Sequence, residues 1–140
     1  MNTISTPCLQ SVNGYIHVII VEAGKLTDKD KTDFNDPYVE VYIDENNKQK
    51  TSVLMNIERP IWNEAFDFNN IWPSNEYFYI NVYDENEGKK PDLIGSKQVS
   101  LDDVIEKGDF DGWVKLPGFV GFGSHDHVHI SMHFEKISTG

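Results

Sequence analysis

Eight stretches of strand length, rich in β-branched and aromatic residues, are kept apart by segments of Asp, Asn, Gly and Pro, and this alternation limits the chain to few architectures. They are residues 15–21 (YIHVIIV), 38–43 (YVEVYI), 49–54, 61–68 (IWNEAFDF), 77–84 (YFYINVYD), 94–100, 112–116 and 127–134 (HVHISMHF). Short strands at this spacing predict an all-β fold, an eight-stranded antiparallel β-sandwich. Only SLDDVIEKG, from Ser100, reads as helix. Ser100 supplies an N-cap, Asp102 and Asp103 fill the first turn, Lys107 ends it and Gly108 closes the C-terminus, so a short connecting helix of about two turns is expected.

The chain has 140 residues, 39% of them apolar, with no internal repeat, so a single domain over residues 14–137 is expected, preceded by a flexible tail at 1–13. No apolar run approaches the roughly 20 residues that span a bilayer. Residues 1–14 lack a secretory pattern, and Asn2 stands where N-myristoylation requires glycine. Cys8 is the only cysteine, which excludes a disulfide framework and fits a reducing, cytoplasmic setting.

Twenty-three acidic against twelve basic residues give a net charge of −11, a field that repels nucleic acid. The acids are concentrated. Asp28, Asp30, Asp33 and Asp36 share one inter-strand segment, and Asp84, Glu85, Glu87 and Asp92 share another about fifty residues later. Loops of a sandwich gather at its two ends, so two acidic loops at one end would form a carboxylate cluster that repels itself. A hard divalent cation relieves that repulsion. Calcium takes six to eight oxygens in flexible geometry, magnesium demands an octahedron with retained waters, and zinc prefers nitrogen and sulfur, so calcium suits the set best. The alternative is that the acids are solvated loop residues serving turn chemistry. An EF-hand loop starting at Asp28 is excluded, because Asp33 falls where glycine is needed and Val39 where the bidentate glutamate belongs.

Three separated motifs carry a resemblance. Leu26-Thr-Asp-Lys-Asp30 followed by Asn35-Asp36-Pro37-Tyr38-Val39 resembles the first calcium loop of C2 domains. Pro60-Ile-Trp62-Asn63-Glu64-Ala-Phe66-Asp-Phe68 is similar to the family's strand motif, with Arg59 where Asn is usual. Val82-Tyr83-Asp84-Glu85-Asn86, then Asp92-Leu93-Ile94-Gly95, resembles the third calcium loop, with Asn86 in place of an aspartate. The resemblance runs from about Gly14 to Phe134, and the first strand and the last look like the circularly permuted type II topology of novel protein kinase C and cytosolic phospholipase A2.

That resemblance implies a non-catalytic module for calcium-dependent binding to anionic phospholipid, cytoplasmic at rest and peripheral on the membrane when calcium rises. In it Asp30 and Asp84 bridge two ions, Asp36 serves one and Asp92 with Asn86 the other, and the backbone carbonyls of Lys29 and Glu85 add ligands. Asn86 keeps an oxygen but removes a charge, implying weaker or fewer ions, and Asn56 is a weaker ligand by the same likeness. Lys29, Lys31, Lys89 and Lys90 lie on the loops, where each lysine near an anionic surface adds about 1 kcal/mol. Phe34, with Met55 and Ile57, supplies the apolar bulk, while Glu87 to Pro91 is polar, so electrostatic binding to phosphatidylserine-like membranes is expected over deep insertion. Lys48 and Lys50 survive from the family's phosphoinositide groove, which Glu40 and Tyr42 weaken.

His127, His129 and His133 share one face by period two, with His17 expected across from them, a pattern compatible with an exposed polar strand face or with metal or proton binding. Two other function classes stay open: a calcium-insensitive protein-interaction module, and a carboxylate-pair enzyme, for which no catalytic motif is present.

Overall fold

A computed structural model describes residues 14–26, 33–69, 71–72, 74–117 and 126–137. Among these residues eight strands run in chain order: β1 Gly14–Ala23, β2 Pro37–Tyr42, β3 Gln49–Lys50, β4 Ile61–Phe68, β5 Tyr77–Asp84, β6 Asp92–Ser100, β7 Asp109–Leu116 and β8 Asp126–Lys136, with one α-helix, α1, at Leu101–Lys107. They form two four-stranded sheets, ordered β4-β1-β8-β7 and β3-β2-β5-β6, and every pairing is antiparallel. The expected sandwich is the observed one.

Alternation decides which side chains meet between the sheets. Along β1, Ile16, Val18 and Ile20 are fully buried, while Tyr15, His17 and Ile19 between them stay partly exposed on the outer face. Val128, Ile130 and Met132 of β8 do the same from beside it, and Val39, Val41, Phe78, Ile80 and Val82 answer from β2 and β5. Phe68 meets Phe78 edge to face, with ring centroids 5.4 Å apart at 83°, an arrangement that satisfies the ring quadrupoles. Gly14 is required by close approach, since a Cβ there would lie 2.5 Å from the Glu135 carbonyl oxygen.

β4 and β5 begin and end where the sequence places them. The third strand does not. It stops at Lys50 instead of Leu54: Thr51 N–H and Leu54 N–H still reach the β2 carbonyls of Val39 and Pro37, but the ladder is interrupted because Val39 N–H donates to the Thr51 hydroxyl (2.9 Å), Ser52 N–H to the Glu64 carboxylate, and the Trp62 indole N–H to the Ser52 carbonyl (3.0 Å). Strand β7 starts three residues early, at Asp109, and a single 3-10 turn at Glu45–Asn47 is capped by Asp44, whose carboxylate accepts from Asn46 N–H. In α1 the Ser100 hydroxyl accepts from Asp103 N–H at 3.5 Å, and Gly108, at φ 82°, donates to the Val104 carbonyl.

Phe78→Ala removes a fully buried ring that joins the two sheets, and urea denaturation should show a loss of about 3–5 kcal/mol with the slope of the transition unchanged. Ser100→Ala should cost only about 0.5–1 kcal/mol in the same measurement, because the capping bond is long and exposed.

Candidate functional site

At one end of the sandwich the sheet β3-β2-β5-β6 brings three of its strand ends together. Asp84 closes β5 and is flanked by Pro37, which opens β2, and by Asp92, which opens β6. Asp36 stands one residue before β2. Its N–H donates to the Asp84 carboxylate at 2.8 Å, and Glu85 N–H donates back to the Asp36 carbonyl at 2.9 Å. Positions 48 residues apart in sequence thus become neighbours by strand pairing alone.

The segment after β5 folds on itself. Lys89 N–H donates to the Asn86 carbonyl, with Gly88 at φ 74° making the turn. The Asn86 side-chain amide donates to the Lys90 carbonyl (3.1 Å) and to the Asp92 carboxylate (3.0 Å). Both partners are acceptors, which fixes the orientation of that amide and leaves its oxygen directed elsewhere. Where an aspartate would oppose Asp92, the asparagine neutralises part of its charge through an N–H.

Asn56, read as a ligand candidate, is a strut. It sits at φ 52°, accepts from Phe34 N–H through its side-chain oxygen (2.9 Å) and donates its own N–H to the Asp36 carboxylate (2.6 Å). Ile57 N–H adds a bond to the Asn35 carbonyl. The segment 55–57 is therefore laced to 33–36, and two apolar side chains project beside it, Phe34 at 48% and Met55 at 70% exposure. Ile57 is partly covered, and Lys89 and Lys90 are exposed. Lys29, Asp30 and Lys31 lie outside the described residues, as does Asp28.

Strand pairing thus brings Asp36, Asp84, Glu85, Asn86 and Asp92 to one end; their oxygens are the donor type a hard cation takes, but they do not stand in ligating positions. Among the described residues no three of His, Cys, Asp or Glu stand close enough together to hold a metal ion. On the face of β2 and β5, Tyr38 stacks on Tyr83 and Tyr42 on Tyr79. Burial, then Glu85 and Glu40, raises the Tyr38 pKa, and burial raises that of Tyr83, so both remain neutral phenols. Lys48 and Lys50 lie over the rings of Tyr42 and Tyr38, and Lys48 faces Glu40 at 3.8 Å, which tempers the basic character of that groove.

Residues 14–116 match the C2 domain family. Synaptotagmin-4 of Arabidopsis thaliana is 33% identical over 105 residues, 74% of this chain and 18% of its own length, so the chain spans about a fifth of that relative. Among solved structures, the calcium-bound tandem C2 domains of extended synaptotagmin 2 superpose with a TM-score of 0.78 at 22% identity, covering 91% of this chain and 47% of theirs. Human GIVD cytosolic phospholipase A2 gives 0.74 at 22% identity, over 92% of this chain and 18% of its own. C2 domains are not themselves catalytic units, and among the described residues no helix is long and apolar enough to cross a membrane. With a family match over 14–116 and the sandwich complete, the chain belongs to the C2 domain family.

Proposed function

We propose that this C2 domain binds anionic phospholipid membranes in a calcium-dependent manner and acts as a targeting module that joins the bilayer surface peripherally. The observation that carries the reading is the convergence of Asp36, Asp84, Asn86 and Asp92 on one end of the sandwich, with exposed Phe34, Met55, Lys89 and Lys90 around them. The pairing of β1 with β4 on one side and with the last described strand, β8, on the other supports the type II arrangement as well.

On this reading Asp36, Asp84 and Asp92 would hold the ion together with the Asn86 side-chain oxygen and the Glu85 carbonyl, and Asp30 with the Lys29 carbonyl, outside the described residues, would be the ligands added from the preceding loop. Calcium, when bound, supplies positive charge and open coordination positions that lipid phosphate or carboxylate oxygens can fill. The chain's own residues do the rest. The aspartates repel an anionic surface until their charge is offset, Lys31, Lys89 and Lys90 then face the headgroups, and Phe34 enters the interface. A charge-led contact of this kind favours phosphatidylserine over phosphatidylcholine.

Vesicle co-sedimentation tests the reading. Calcium should drive the wild-type protein onto phosphatidylserine vesicles and not onto phosphatidylcholine vesicles, and the double variant Asp36→Asn, Asp84→Asn should stay in solution. Binding that ignores calcium would leave a lipid-binding module without the calcium switch, and no binding to either lipid together with no calcium-induced rise in Tm would replace this reading with that of a protein-interaction module. Asn86→Asp adds a charge opposite Asp92, and calorimetry should show calcium binding about tenfold tighter, equivalent to ~1.4 kcal/mol. In a chelator the same variant should lose about 1 kcal/mol of stability, because two hydrogen bonds are replaced by like-charge repulsion.

A further inference from the structure

The outer face of the sheet β4-β1-β8-β7 carries histidines on its two central strands and aspartates on its two edge strands. His17 of β1 lies opposite Asp67 of β4, Nδ1 to Oδ1 at 2.7 Å. His133 of β8 lies opposite Asp109 of β7, Nδ1 to Oδ1 at 2.6 Å, and its Nε2 meets Glu135 at 2.7 Å. His129 of β8 reaches Asp111 of β7 through Nε2 at 2.7 Å and Glu22 of β1 through Nδ1 at 3.8 Å, and it stacks on the exposed Trp113. Three imidazoles thus reach the two margins of one sheet.

The double engagement of His133 sets its protonation. A carboxylate only accepts hydrogen bonds, and a neutral imidazole has one N–H, so it can serve Asp109 or Glu135 but not both. Only imidazolium donates to the two at once. We propose that this face is a proton-operated lock, in which protonated His133 holds edge strand β7 to β8 through Asp109 while Glu135 fixes the ring, so that loss of the proton loosens the margin of the sheet.

The charged groups acting on His133 are Asp109 from β7 and Glu135 from β8 itself, and His17, the pairing partner of His133 on β1, stands beside it with Asp67 of β4 and Tyr15 across a shared shallow depression. Hydrogen bonding to Asp109, then to Glu135, holds the His133 pKa above its ordinary value of 6.5. The sign follows: for a group raised in the folded state, the stabilisation is complete below the unfolded value and is lost as pH rises through the folded one. Acidification below the ordinary value tightens the lock, and a rise in pH through the raised value of the folded protein releases it. β7 follows α1 directly and is the outer strand of its sheet, and among the described residues no second strand pairs with it. The lock works without the loop end of the sandwich, so it stands or falls separately from calcium binding.

The test uses the whole chain in a chelator. NMR titration of the wild-type protein should show His133 deprotonating above its ordinary value. From about pH 6 to about pH 8, Tm and the hydrogen-exchange protection factors of the β7 amides should fall more in the wild type than in His133→Gln, which cannot take the charge. The difference between the two proteins should shrink along the His133 titration curve. A His133 that titrates at or below the ordinary value overturns the proposal, as do parallel Tm curves or β7 protection that declines equally in both proteins.

Discussion

The seam between the two sheets holds everything else in register. Ile16, Val18 and Ile20 on one side meet Phe78, Ile80 and Val82 from the other layer, and a slip of one residue on any of these strands would turn its apolar set outward. Because that register is fixed from inside, the polar residues at the strand ends have no freedom to choose their neighbours. Asp84 lies beside Asp36 and Asp92 only because β5 is pinned between β2 and β6 by what it buries. The carboxylates are carried to one another against their own repulsion by apolar burial several residues away.

The same rule accounts for the outer face of the other sheet. Side chains that alternate with the core positions of β1, β8, β4 and β7 must point outward, and there imidazoles from the centre meet carboxylates from the edges. Hydrogen-bonded polar pairs on a partly solvated face cost little to keep, and they give edge strands a hold that apolar contact does not supply. Net negative charge is thus handled differently at two places: across the outer face by neighbouring imidazoles, and at the loop end by backbone N–H groups and the Asn86 amide.

Where the sequence was readable, the cause was a signal confined to consecutive residues. IWNEAFDF and YFYINVYD show their limits because turn-forming residues bracket a full strand of alternation, and SLDDVIEKG shows its helix through caps at both ends. Asp109, Phe110 and Asp111 read as loop because aspartate is rare in strands. Their strand partner, His133 for Asp109, comes from a segment 24 residues further on and nothing local announces it. The 51–54 stretch shows the converse: it has strand composition, and Thr51 and Leu54 still reach β2, but the Ser52 N–H and carbonyl between them are held by Glu64 and Trp62. At the loop end, strand pairing makes neighbours of Asp36, Asp84 and Asp92, which share the motif spacing with Asn86, whereas the bridging work of Asn56 depends on a left-handed backbone that spacing does not encode.

That asparagine has a mechanical consequence. With its side chain on Phe34 N–H, its own N–H on Asp36 and Ile57 tied to Asn35, the turn bearing Met55 and the segment bearing Phe34 are yoked as one piece. The two exposed apolar side chains therefore travel together, as a single wedge whose orientation is set by Asp36. Whatever repositions that carboxylate also swings the wedge, so charge chemistry inside the cluster is geared directly to the apolar surface outside it.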